Sequence, residues 1–377
     1  MPLKSVKHLV LLGAGHAHVH VLAGLAAHRP SDLRITLVAP HPQQLYSGMV
    51  PGFVAGHYTL DQCVIPLQSL MARCGARYVA GSGVSIYADA QTLTLTDGQT
   101  MAYDFLSLNT GSLMDREKIE AVMPGAREHA LFVRPIEAFG KLWPQVAALA
   151  VRRPIHLVVV GAGAAGLELA MAAAHALRQS CESPEGHVTL VTGGSKPAQS
   201  YPATVQRRVA HALERLRITV LQDTCAGFRA GEIVLASGKA LACDAPLLAI
   251  GAQAPSWLAG SGLALDTQGF VAVNRFQQSS SHPSVFAAGD VASRLDKQHS
   301  RSGVYAVRAG PPLLTNLRSA LAAQALTAYL PPVRTLNLLS CGSRYAIAAW
   351  GNFSVGGAWV WHLKDRIDRQ FVNRYSH

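Results

Sequence analysis

The stretch that decides the fold is Leu157-Val158-Val159-Val160-Gly161-Ala162-Gly163-Ala164-Ala165-Gly166. An unbroken apolar run rich in β-branched residues reads as a strand buried on both faces, and the glycines after it read as a tight turn into a helix. In such a G-x-G-x-x-G loop the first glycine makes the turn and the second lets backbone approach a pyrophosphate. The third lets helix and strand pack closely. The helix start then offers free N–H groups and a positive dipole end to phosphate. An echo lies upstream: Leu9–Gly15 reads LVLLGAG, with Gly13 and Gly15 in place but His18 at the third glycine position. An alanine-rich helical segment and a second apolar run follow each loop, Ile35–Ala39 in one case and Val188–Thr192 in the other. Two βαβ units predict an α/β protein with two parallel-sheet, Rossmann-like domains, each with a nucleotide crevice at its switch point.

Working outward, 377 residues correspond to about two and a half domains at roughly 150 residues each. An apolar fraction of 49% excludes a disordered chain, and six cysteines are too few for a disulfide scaffold. The cysteines form no C-x-x-C or C-x4-C pair, so neither a zinc site nor a vicinal redox disulfide is expected. No run reaches ~18 uninterrupted apolar residues, and the apolar run after Lys4 and Lys7 is too short for a signal peptide. The cytoplasm is the default compartment. The net charge of +11 calls for anionic partners, but the basic residues are scattered and 25 of the 33 are arginine, which argues against nucleic acid.

Between the loops, Tyr78–Val84 and Thr92–Thr96 read as short strands with Asp97-Gly98 as a hairpin turn, and Glu232–Leu235 with Ser237-Gly238 repeats that pattern. Met114–Arg134 reads as mostly irregular. Neither βαβ unit ends its second strand on the acid that usually binds a ribose hydroxyl. Ala39-Pro40 stands there in the first and Thr192-Gly193-Gly194-Ser195-Lys196 in the second, so NADH and NADPH are both admissible at the second. His16, His18 and His20 lie in a phosphate-approach loop without an accompanying carboxylate; they read as loop and packing residues, with no metal.

Four motifs in order then resemble the two-dinucleotide-domain flavoproteins of the pyridine nucleotide–disulfide oxidoreductase superfamily. The first glycine loop is followed by Tyr103-Asp104-Phe105-Leu106-Ser107-Leu108-Asn109-Thr110-Gly111-Ser112, similar to Y-D-x-L-x-x-A-T-G-S. The second glycine loop comes next, and Val285-Phe286-Ala287-Ala288-Gly289-Asp290 closes the set, similar to x-F-A-x-G-D. Within the superfamily the chain resembles type II NADH:quinone dehydrogenases. More narrowly it is similar to the flavoprotein module found fused to selenophosphate synthase, on Gly13–Val19, Tyr46–Gly52, Val54–Tyr58 and Trp359–Asp368.

The resemblance implies two cofactors, FAD and NAD(P)H, with the NAD(P)H domain inserted in the FAD domain. FAD would be held by Gly13, Gly15, His16, Ala17, His18, Pro40, Ser47, Gly48, Met49, Pro51, Val84, Thr110, Gly111, Gly289 and Asp290. NAD(P)H would be held by Gly161, Gly163, Ala164, Gly166, Glu168, Thr192 and Gly251. Glu168 would sit near the nicotinamide, or be an ordinary first-turn carboxylate. The implied division is 1–115 and 269–330 for FAD, 116–153 as a connection, 154–268 for NAD(P)H, and 331–377 as a small α+β region. The implied activity is hydride transfer from NAD(P)H to FAD and electron delivery to a quinone-like acceptor. Reduction of a small carrier or of a sulfur or selenium compound, sulfide:quinone oxidoreductase-like chemistry, and a redox-sensing role are the alternatives.

The departures bear on the acceptor. No redox cysteine pair is present, and Val304–Pro311 replaces the Gln-rich quinone-side motif, with Arg308 there either steadying reduced-flavin charge or covering the surface. Trp359, Leu363, Ile367 and Phe371 recur every fourth residue with Lys364, Arg366, Arg369 and Arg374 interleaved. Such a helix suits a membrane interface, although Asp365 and Asp368 weaken lipid binding; packing on its own protein or on a second copy fits the same stripe.

Overall fold

The computed structural model describes residues 6–29, 31–180, 186–251 and 253–376. Two five-stranded parallel sheets form its frame. The first runs Val285–Ala287, Phe105–Leu108, Lys7–Leu12, Leu33–Ala39, Ala76–Ala80 across the sheet. The second runs Leu131–Phe132, Ala245–Leu248, His156–Val160, His187–Val191, Thr219–Leu221. In each, the strand before a glycine loop is central, pairing Leu9 with Ile35 and Phe105, and Leu157 with Val188 and Ala245. These strands are buried on both faces, which explains their continuous apolar runs. The first sheet takes its edge strand, Val285–Ala287, from beyond the second sheet in sequence, so the second α/β unit is an insertion in the first.

The two loops solve helix–strand packing differently. At the second, Gly161 has φ +119°, and a methyl on Gly166 would run into the Gly161 carbonyl, so the helix Ala164–Ser180 lies hard on the turn. At the first, His18 replaces the third glycine and is fully buried. Its Nδ1 bonds the Gly13 carbonyl at 2.6 Å and its Nε2 the Ser107 hydroxyl at 2.8 Å. Asn109, at the Ala position of the A-T-G-S pattern, completes the substitution. Its Oδ1 accepts from the N–H groups of Ala17 (3.0 Å) and His18 (3.2 Å), and its Nδ2 donates to the Ala288 carbonyl at 2.6 Å. One side chain therefore caps the helix His16–Ala27 and ties the ends of two strands together.

Two local expectations change. Tyr78–Val84 spans the end of Ala76–Ala80 and the start of Gly83–Tyr87, because the chain breaks at Gly81-Ser82 to leave the parallel sheet for an antiparallel meander. Met114–Arg134 is not mostly irregular: it contains the helices Arg116–Val122, capped by Asp115, and Ala126–His129. At the C-terminal end the sequence left open whether the apolar stripe of the last helix faces a membrane or packs on protein.

There, strands Asn337–Ser340, Ala346–Trp350 and Phe353–Gly357 form an antiparallel sheet, and the helix Ala358–Tyr375 folds back on it. Ile347 and Ala349 enter the main core, while Ala346 and Ala348 meet Val360 and Trp361 of the helix. The apolar stripe does not face in. Trp359 (58%), Leu363 (37%) and Ile367 (41%) are exposed, whereas Lys364 and Asp368 are buried. The rotation has a physical cause: Lys364 and Asp368 satisfy each other and find further partners inside, and Phe371 of the stripe reaches only the rim, packing on Tyr46. No helix among the described residues is long and apolar enough to cross a membrane.

Asn109→Ala removes two cap bonds and one strand tie, and should cost about 2–3 kcal/mol of stability. Chemical denaturation of wild type and variant measures it; a loss under about 0.5 kcal/mol would contradict the role.

Candidate functional site

The first crevice opens where the strand order reverses, at the carboxyl ends of Lys7–Leu12 and Phe105–Leu108. Gly13 (φ +90°), Gly111 (φ +72°) and Gly289 (φ +72°) line it, and a Cβ on Gly111 would meet open space. Among the described first-turn donors of the helix, the His16 N–H keeps no protein partner, since Asn109 holds those of Ala17 and His18. Ser47–Met49 forms a single 3-10 turn running into the helix Val50–Val54, with Pro51 pre-set at its start. His16 Nε2 lies 3.3 Å from Ser47 Oγ, and burial lowers the His16 pKa to about 4 against the pull of Asp290, so the ring is neutral. The Asp290 carboxylate accepts from Ser112 at 3.3 Å and from Arg134 at 3.4 Å. Arg134 was not visible in the sequence, since only the chain's return from the connection segment brings it here.

The second crevice has the same form. Gly163 and Gly251 leave open space where a Cβ would stand, and Gly193 and Gly194 turn at φ +71° and +79°. The Thr192 hydroxyl, at the end of its strand, is buried with no hydrogen-bond partner. A buried donor without a partner at the ribose position of a dinucleotide crevice fits a polar ligand.

Glu168 joins the two crevices to the terminal helix. Its Oε1 accepts from the Ser340 N–H at 2.8 Å. Lys364 faces it, donating to the Gly48 carbonyl at 2.7 Å and to Asp368 at 2.6 Å. Burial raises the Glu168 pKa to about 7, moderated by Lys364 and the Ser340 N–H. Burial works against the Lys364 ammonium, yet Asp368 and Glu168 outweigh it and hold it above the usual lysine range. Burial and then Asp368 keep the Tyr46 phenol protonated. Around this cluster His16, Tyr46, Phe371 and Tyr375 make a contiguous aromatic wall, with Tyr46 and Phe371 centroids 4.6 Å apart.

The sequence matches the pyridine nucleotide-disulphide oxidoreductase family over residues 7–310. The chain belongs to that family. It is 24% identical over 371 residues to the oxidoreductase ptaL of Pestalotiopsis fici, covering 93% of this chain and 94% of that one. It is 26% identical to an NADH dehydrogenase-like protein of Mycobacterium tuberculosis over 77% of this chain and 74% of that one. The sulfide:quinone oxidoreductase of Aquifex aeolicus shares the fold with a TM-score of 0.80 at 17% identity, over 98% of this chain and 91% of that one. NDH2 of Plasmodium falciparum, solved with NADH, does so with a TM-score of 0.79 at 11% identity, over 98% and 99%. With both crevices formed as the family requires, FAD and NAD(P)H are the cofactors, and this family member is an NAD(P)H-dependent flavoprotein oxidoreductase.

Not every expected contact residue converges. Ala17 and His18 are buried with their donors used inside the protein, Pro40 is exposed beyond its strand, and Val84 is exposed on Gly83–Tyr87. Arg308 is exposed on the last turn of Gly303–Arg308. Lys364 and Asp368 were missed as site residues because the sequence counts them as part of a solvated helix face. Five cysteines, 63, 74, 225, 243 and 341, are free and buried; Cys181 lies outside the described residues.

A carboxyl whose folded pKa is raised from 4.5 to about 7 stabilises the fold fully below pH 4.5, and that contribution drains away up to about pH 7. The stability of Glu168→Gln relative to wild type should therefore rise between pH 4.5 and 7 and level off above. Denaturation midpoints across pH 4.5–8 check this, and a flat difference would remove the shifted carboxyl.

Proposed function

We propose that this flavoprotein passes electrons from NAD(P)H to a quinone-like acceptor at a membrane surface. The observation that carries the reading is the terminal helix, which walls the Ser47–Pro51 turn with Phe371 while turning Trp359, Leu363 and Ile367 outward. An acceptor side bounded by an exposed apolar stripe suits a lipid-soluble acceptor. The two acids that would oppose lipid are withdrawn from the surface: Asp365 accepts from Tyr58 at 2.7 Å and Arg369 at 2.8 Å, and Asp368 is buried on Lys364. His362 and Arg366 remain exposed beside the stripe. A quinone is also named for the Aquifex aeolicus enzyme of the same fold.

When bound, FAD supplies hydride acceptance from NAD(P)H and onward electron release. The chain contributes orientation and charge. Gly161–Gly166 present the second dinucleotide, Lys364 Nζ fixes the Gly48 carbonyl of the flavin turn, and the Glu168 carboxyl holds or releases a proton near neutral pH. The cofactor contacts and the division into 1–115, 116–153, 154–268, 269–330 and 331–377 are part of the same proposal. A thiol relay of the sulfide-oxidising kind is disfavoured, because burial pushes the Cys63, Cys243 and Cys341 thiols up to about 12.

Mixed anaerobically with NADH or NADPH, the holoenzyme should lose its visible flavin absorbance, and a short-chain quinone should restore it faster than buffer. Restoration only by a disulfide, a selenium compound or a protein carrier would move the reading to a soluble reductase. The triple variant Trp359→Ser, Leu363→Ser, Ile367→Ser should float with phosphatidylcholine–phosphatidylglycerol vesicles several-fold less than wild type. Equal flotation would reject the membrane surface, and a change from dimer to monomer in sedimentation would assign the stripe to a second copy.

A further inference from the structure

The helix Ala203–Arg215, which follows the second glycine loop in sequence, and the C-terminal sheet border an open cleft of about 340 Å³. Thr204, Arg207, Arg208, His211 and Arg215 follow one another along one face of that helix, and Tyr345 and Ser354 close the other side. No residue of Gly161–Gly166 or of Thr192–Lys196 lines it.

Three guanidinium groups share this space without an acid. Elsewhere Arg134, Arg153, Arg229, Arg294, Arg301 and Arg369 each pair with a carboxylate. Among the described residues, none pairs with Arg207, Arg208 or Arg215. Neutral groups orient two of these exposed side chains: Arg208 Nε donates to Ser354 Oγ at 3.2 Å, and Arg215 lies over the Tyr345 ring at 4.8 Å. The Thr204 hydroxyl is likewise fixed, donating to the Asn352 carbonyl at 3.0 Å. Oriented, unpaired guanidinium forks are the donor set that matches phosphate oxygens.

We propose that this cleft is a binding site for a phosphate-bearing anion, distinct from the two dinucleotide crevices. Free polyphosphates and phospholipid headgroups share the required chemistry. With the holoenzyme saturated in NAD+, so that the crevices are filled, calorimetric titration with inorganic pyrophosphate should reveal one further site. Flotation with phosphatidylcholine vesicles, with and without phosphatidylglycerol, is the parallel arm. Arg208→Gln/Arg215→Gln should weaken binding at least tenfold in whichever arm is positive, whereas Arg152→Gln, which removes an exposed cation outside the cleft, should retain it. Circular dichroism and flavin content report that both variants fold. Loss in the pyrophosphate arm assigns a soluble ligand, and loss only in the anionic-vesicle arm assigns a lipid headgroup. If wild type binds neither probe, or the double variant binds both as wild type does, the proposal is wrong.

Discussion

The buried ammonium of Lys364 is the interaction around which the site is assembled. It belongs to the terminal helix Ala358–Tyr375, grips the Gly48 carbonyl of the Ser47–Met49 turn, pairs with Asp368 one turn on, and faces Glu168 of the helix Ala164–Ser180. A buried cation that lost these partners would be costly, so the terminal helix can dock in only one rotation. That rotation turns Trp359, Leu363 and Ile367 to the outside, the reverse of what a simple hydrophobic pattern expects. The exposed stripe is thus a consequence of satisfying charge inside.

A similar exchange governs the first crevice. The family pattern relies on a third glycine to bring helix and strand together, whereas here His18 fills that place and Asn109 caps the helix from the neighbouring strand. Both side chains have every strong hydrogen-bonding group turned to protein. The cost is that two helix-start donors are already engaged, which leaves the His16 N–H and the glycine turns to face the ligand. The second crevice keeps the three glycines, and with them an open helix start and an unpartnered Thr192 hydroxyl.

The net charge of +11 is distributed among several purposes. Among the described residues six arginines pair with carboxylates, Lys364 is internal, and the cluster on Ala203–Arg215 stands without acids. The absence of a cysteine pair is consistent with this arrangement, since the described thiols are buried and the site is built from a carboxylate, an ammonium and aromatic rings rather than sulfur chemistry.

The sequence alone determined the two parallel sheets and the glycine turns, because these rest on local periodicity and on backbone conformations that only glycine adopts freely, while the insertion of one α/β unit in the other was what the family resemblance implied. It also determined the family, since Leu9–Gly15, Tyr103–Ser112, Leu157–Gly166 and Val285–Asp290 are contiguous motifs. Tertiary structure alone decided the role of Asn109, the reach of Arg134 to Asp290, and the meeting of Glu168 with Lys364 across nearly two hundred residues of chain. It also decided which face of the last helix is buried. Periodicity reports that a helix has two faces, but which one goes inside depends on the partners waiting there, and those come from distant segments whose burial raises or lowers the value of a charge.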